Sequence, residues 1–175
     1  MLRALCVLAI LLLASCASAP PKPPPQPQPT PPAMATTGTA QRAIANLASA
    51  SGTLVSGRVE LRPAADGVRV TGVVGGLTRN GAHGLQVHER GDCSAVDARS
   101  AGNYFDPTGA RGVGGSSDRI VADPDGVARV DLLIRGAVLG GGAPNDIAGR
   151  ALIVLGATSG ASSARVACGV IKVQP

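Results

Sequence analysis

An all-β antiparallel barrel or sandwich is the fold this sequence predicts, and three observations carry the prediction. Short apolar runs recur after residue 42 with the two-residue alternation of strands. Glycine is abundant, and Asp-Gly pairs punctuate the runs. No helical stripe of convincing length competes with them. Many short strands joined by such turns close on themselves or stack as two sheets.

The elements follow in order. Residues 43–50 form a first strand or a short helix, because alanine-rich content leaves propensity silent there. Residues 53–61 alternate in part. Residues 68–74 alternate more clearly, with Val68, Val70 and Gly72 on one face. Pro63 and Ala65-Asp66-Gly67 separate these two runs as a hairpin turn. Residues 82–89 form a further strand. Residues 119–123 and 127–134 flank a turn at Pro124-Asp125-Gly126, and residues 151–155 and 165–173 close the set.

The N-terminus is read separately. Arg3 and the apolar run 5–13 form a signal segment too short to span a bilayer. Leu13-Ala14-Ser15-Cys16 resembles a bacterial lipobox, in which Cys16 is acylated and becomes the mature N-terminus. An ordinary secretory signal cleaved after Ala17-Ser18-Ala19 is the competing reading. The lipobox makes residues 1–15 a signal peptide. Residues 16–41 then follow as lipidated cysteine and linker, and 42–175 as one domain with length enough for a single core. Ala17 after the cysteine points to the outer membrane, with the chain facing the periplasm. The partner expected there is the lipid itself, through more than one acyl chain. Residues 20–32 are mostly proline and extend as a semi-rigid spacer of about 40 Å.

Cysteine usage agrees with export. Cys6 leaves with the signal and Cys16 carries lipid, so Cys93 and Cys168 remain as one pair. An oxidising compartment permits a disulfide between them; two buried free thiols are the alternative. The chain has 16 basic and 11 acidic residues, and the signal removes only Arg3 from that balance. The charge is scattered, and only Tyr104 and Phe105 could stack on a base, so no nucleic-acid partner is expected. A mildly positive surface suits anionic lipid or polysaccharide nearby. No protein partner is legible.

Five ordered motifs then carry a resemblance. They are His83-Gly84-Leu85-Gln86-Val87-His88-Glu89, Gly91-Asp92-Cys93, Ser100-Ala101-Gly102-Asn103-Tyr104-Phe105-Asp106-Pro107, Gly149-Arg150-Ala151-Leu152 and Arg165-Val166-Ala167-Cys168-Gly169-Val170-Ile171. Together they resemble the copper–zinc superoxide dismutase family over about residues 42–175. The resemblance implies a Greek-key antiparallel β-barrel of about eight strands. Residues 90–118 would be its disulfide-and-zinc loop, and 156–164 a shortened electrostatic loop.

Read residue by residue, the resemblance implies a site with its contents missing. Of four copper-binding imidazoles only His88 is retained; Gln86, Tyr104 and Leu155 stand at the other three positions. The first zinc position falls on Gly112. Asp118 competes with Ser116 for the zinc aspartate, and the shortened loop favours Ser116. The chain contains only two histidines, and four-coordinate zinc needs four donors. His83 matches a structural histidine. Arg165 matches the arginine that guides superoxide, yet it can equally bind carbonyls of the disulfide loop.

The expectation is therefore a membrane-tethered, non-catalytic superoxide dismutase-like protein with no copper or zinc cofactor. One alternative is an active enzyme using His88, the Tyr104 phenolate and Asp106 as an atypical copper site. Another is a weak metal- or anion-binding module lined by Gln86, His88, Tyr104 and Arg165.

Overall fold

The computed structural model describes residues 32–109, 118–157 and 164–175. The signal segment, Cys16, most of the proline-rich linker, Gly112, Ser116 and most of the electrostatic loop lie outside the described residues.

Among the described residues nine strands appear in chain order: β1 (Ala43–Ser49), β2 (Ser56–Ala64), β3 (Gly67–Gly75), β4 (Ala82–His88), β5 (Arg119–Val121), β6 (Ala128–Arg135), β7 (Ala151–Leu155), β8 (Arg165–Val170) and β9 (Lys172–Val173). All ladders between them are antiparallel. The spatial order is β5-β4-β7-β8-β1-β2-β3-β6, with β9 paired to β1. The chain crosses from β3 to β4 and back from β6 to β7, a Greek-key path. β5 and β6 approach across the remaining gap, so the sheet is a nearly closed barrel.

Alternation builds the interior. Val59 and Leu61 of β2, Val68, Val70 and Val74 of β3, and Leu85 and Val87 of β4 are all buried in one cluster. Each such side chain contributes about 1.5–3 kcal/mol on burial. The predicted partner of Val68 and Val70, Gly72, is there for a different reason. A Cβ on it would stand 2.3 Å from the Arg58 carbonyl oxygen, so the close approach of β2 requires glycine.

The structure decides one open reading and corrects three others. Residues 43–49 are a strand, because pairing with β2 on one side and with β9 and β8 on the other supplies what propensity does not. Residues 53–55 are not strand. Thr53 instead donates its hydroxyl to the Val166 carbonyl at 2.6 Å and accepts from the Val55 amide. Pro63 belongs to β2, opposite Val68, and the turn is Ala65-Asp66. Pairing with β1 ends at Leu61, so only β3 flanks that stretch, and proline is tolerated on a one-sided strand. The last predicted strand is broken at Ile171 into β8 and β9, each pairing a different half of β1.

β7 positions the site. Ala151, Leu152, Ile153 and Val154 are all buried, although alternate residues point to opposite faces. Leu152 and Val154 enter the barrel interior. Ala151 and Ile153 face outward into a second cluster with Ala50, Ala98, Ala101 and Cys168, roofed by the segment between Cys93 and Ala101. Barrel contacts also reach back into the linker: Ala35 exchanges two hydrogen bonds with the Asn145 side chain, and Ala40 donates to the Leu139 carbonyl.

Candidate functional site

The site lies on the outer face of β4 and β7. Register places Gln86 opposite Ile153 and His88 opposite Ala151, so Gln86 and His88 share the face of that second cluster. Leu155 lies on the same face, its Cδ1 3.1 Å from where a Cβ on Gly84 would be. Tyr104 is brought in by an isolated antiparallel bridge to His88. Two backbone bonds flank that bridge, Glu89 N to Asn103 O at 3.0 Å and Phe105 N to Val87 O at 2.9 Å. The four positions that the sequence assigns to copper therefore sit on one backbone frame, held by ladders rather than by their side chains.

The side chains on that frame do different work. His88 is 4% exposed, and its Nδ1 lies 3.0 Å from the Gly102 carbonyl oxygen. A carbonyl only accepts, so Nδ1 carries the proton and Nε2 is the bare nitrogen. Nε2 is buried without a partner. Gln86 donates its amide to the Asp118 carboxylate at 2.7 Å. Burial, with help from Asp106 and Asp118, raises the Tyr104 pKa above the ordinary phenol value. Leu155 is apolar.

Arg165 spans the same loop. Its guanidinium donates to the Ala98 carbonyl at 2.7 Å and to the Gly102 carbonyl at 2.6 Å. Gly102 O thus receives both His88 and Arg165. The Arg165 bonds have a charged donor and are each worth about 1.5–3 kcal/mol. Cys93 and Cys168 are joined as a disulfide that pins the start of the loop to β8. His83, 2% exposed, places Nδ1 2.8 Å from the Leu155 carbonyl oxygen and ties β4 to the end of β7.

Two participants were not legible in sequence. The sequence offers Asp118 only as a zinc ligand, whereas the structure makes it the partner of Gln86. Arg150 entered only as part of a motif. Its guanidinium lies over the Phe105 ring, 3.6 Å from the centroid, and donates to the Glu89 carbonyl at 2.7 Å. It braces the segment that carries Tyr104. A stacking partner 45 positions away leaves no local signal.

Donor chemistry decides what the frame can hold. Copper prefers several imidazole nitrogens, and zinc wants four donors. His88 Nε2 is one bare nitrogen. The Gln86 amide is engaged with Asp118, the Tyr104 proton is held tightly, and Leu155 has no donor atom. Asp106 accepts from the Thr108 amide at 2.9 Å and hydroxyl at 2.7 Å, which closes its own turn. Among the described residues, no three or more His, Cys, Asp or Glu side chains form a group that could hold a metal. These residues do not fit copper or zinc.

Burial lowers the His88 pKa, and the Arg165 charge adds to it; the Gly102 carbonyl and Glu89 oppose it. The folded chain therefore binds the imidazole proton less readily than the unfolded chain does. Stability is complete above the unfolded value of about 6.5 and falls as pH drops from there through the folded pKa. Urea unfolding at pH 8 and pH 5 checks this. The loss at pH 5 should shrink in His88→Gln, and an unchanged loss would assign it elsewhere.

Comparison with known proteins places this geometry. A family model described as copper/zinc superoxide dismutase matches residues 55–171. The chain is 34% identical over 126 residues to the copper–zinc superoxide dismutase 2 of Brassica juncea, covering 60% of this chain and 80% of that protein. It is 32% identical over 155 residues to the extracellular copper–zinc superoxide dismutase of Brugia pahangi, covering 75% of each.

Proposed function

Because the chain belongs to the copper/zinc superoxide dismutase family, we propose that it is a non-catalytic member of that family, tethered to the cell envelope through acylated Cys16. The observation that carries this reading is the donor set on the β4–β7 face. One bare imidazole nitrogen, one engaged amide, one protonated phenol and one leucine stand where a copper site would need imidazoles. Dismutation passes an electron from one superoxide to the next, and protein side chains at neutral pH offer no couple for it. In the family the metal supplies that couple.

The atypical-enzyme reading is weaker on the same grounds. It needs the Tyr104 phenolate, which burial disfavours, and Asp106, whose Oδ1 is already engaged twice by Thr108 within its own turn. Anion capture at this face is weaker too, since the Arg165 guanidinium is spread over two loop carbonyls. What the frame retains is a fold locked by disulfide and arginine, suited to a structural or binding role at the envelope.

Full-length protein purified from its own envelope fraction tests both halves. Elemental analysis and copper titration should give no stoichiometric metal and no dismutase activity above that of buffer. Mass spectrometry of the mature N-terminus should give an acylated Cys16. One copper per chain, with superoxide consumption that His88→Ala abolishes, would overturn the non-catalytic reading; an unmodified N-terminus at Pro20 would overturn the tether.

A further inference from the structure

β1 changes partners along its length, and the change opens a groove on its outer face. β2 flanks one side, while on the other side β9 pairs with Ala43 and Ile44 and β8 pairs with Ala48 and Ser49. The groove has a volume of about 410 Å³ and runs beside the Cys93–Cys168 disulfide. Its floor is low because Ala48 is small and Gly169 has no side chain. A Cβ on Gly169 would stand 2.4 Å from the Asn46 carbonyl oxygen, so glycine is what lets β8 approach there.

The walls are cationic. Arg58 lies directly across from Asn46 on β2, and Lys172 directly across from Ile44 on β9. Next-but-one strands stand about 10 Å apart, and the two positions are offset by two residues along β1, so the cations flank the groove diagonally from opposite sides of β1. Among the described residues, no aspartate or glutamate lines the groove. Glu60 stands across Ile44 from Lys172, yet it is already shared by Arg42, at 3.2 Å, and Arg62. Among the described residues, the side chains of Arg58, Lys172 and Asn46 have no ion pair or hydrogen bond. Several arginines elsewhere are committed, Arg69 to Asp131, Arg99 to Asp97, and Arg150 and Arg165 to carbonyls, whereas Arg129 on β6 is, among the described residues, as unpartnered as Arg58 but does not line the groove.

We propose that this groove binds a phosphate-type oxyanion. A guanidinium fork, an ammonium and a free amide offer donors from three directions and more than one positive charge. That matches a tetrahedral dianion with three exposed oxygens; a carboxylate would be satisfied by the Arg58 fork alone. The phosphate can be free or part of a lipid headgroup, and the chemistry is shared. Sequence hides the site because Arg58 and Lys172 are brought together only by strand register. The proposal does not depend on the metal-free reading of the β4–β7 face.

Titration of the full chain in a non-ionic detergent with inorganic phosphate, at constant ionic strength, tests it by NMR. Saturable shifts are expected at the Asn46 and Gly169 amides. Arg58→Gln and Lys172→Gln should each weaken binding about tenfold or more. Arg129→Gln removes an equally unpartnered, exposed arginine on β6 and should leave affinity unchanged. All three side chains point to solvent, so amide spectra away from the groove should superimpose and certify the fold. Adding phosphatidylglycerol vesicles to the phosphate-loaded protein separates the sources: displacement assigns the lipid headgroup, and persistence assigns free phosphate. Shifts that do not saturate, or equal losses in all three variants, would overturn the proposal.

Discussion

Cys93→Ala is expected to lower the unfolding free energy by about 4 kcal/mol, the entropy that cross-linking removes from an unfolded chain whose two cysteines are 75 residues apart. The choice of cysteine matters. Cys168 is buried among Ala50, Ala151 and Ile153, so changing it would disturb packing as well. Cys93 is half-buried at the edge of that cluster. The loop does not fall free when the bond is cut, because Arg165 still donates to Ala98 and Gly102 and the Ser51 amide still donates to the Val96 carbonyl. The variant should therefore remain folded at neutral pH with a lower denaturation midpoint and a similar or slightly larger slope. Urea unfolding of the wild type with and without reductant should reproduce the same difference. A shift below about 1 kcal/mol would mean that Arg165 and the alanine cluster already close the loop in the unfolded ensemble.

The fold was legible because its signals are local. Asp-Gly turns, two-residue alternation and five ordered motifs each need only a few consecutive residues, and they placed most strands within a few positions of β2 to β8. Where they failed, the deciding partner was distant. Residues 43–49 are strand because β2, β8 and β9 flank them, and Pro63 is tolerated because β1 has already ended. Residues 151–155 are apolar throughout in the sequence, and only the second cluster explains why both faces of β7 are covered.

The site divides in the same way. The identities of the residues on the frame were legible, since Gln86, His88, Tyr104 and Leu155 fall at fixed offsets within motifs. Their new partners were not. The Asp118 carboxylate under Gln86, the Arg150 guanidinium over Phe105 and the shared Gly102 carbonyl are contacts between segments 14 to 63 residues apart. Pairings made across strands and loops leave no periodic trace.

The combined replacement Gln86→His, Tyr104→His and Leu155→His is expected to convert the β4–β7 face into a copper site. The argument rests on what holds each position. Residue 86 is fixed opposite Ile153 and residue 88 opposite Ala151, residue 104 is bridged to His88, and the residue 155 carbonyl is tied to His83. None of these restraints involves the side chains being changed. Leu155 packs on Gly84, where the absence of a side chain leaves room for an imidazole in its place. Losing the Gln86–Asp118 bond costs about 1.5–3 kcal/mol, less than what four nitrogens offer copper. Affinity should move from weaker than about 1 mM to tighter than about 1 μM, a gain of about 4 kcal/mol. Copper should then raise the melting temperature in a concentration-dependent way, which it should not do for the wild type. Each single replacement supplies only two imidazoles and should fall well short of the triple variant. If the triple variant fails to bind copper while remaining folded, the backbone itself has drifted from a metal-holding geometry, and the loss in this chain runs deeper than three side chains.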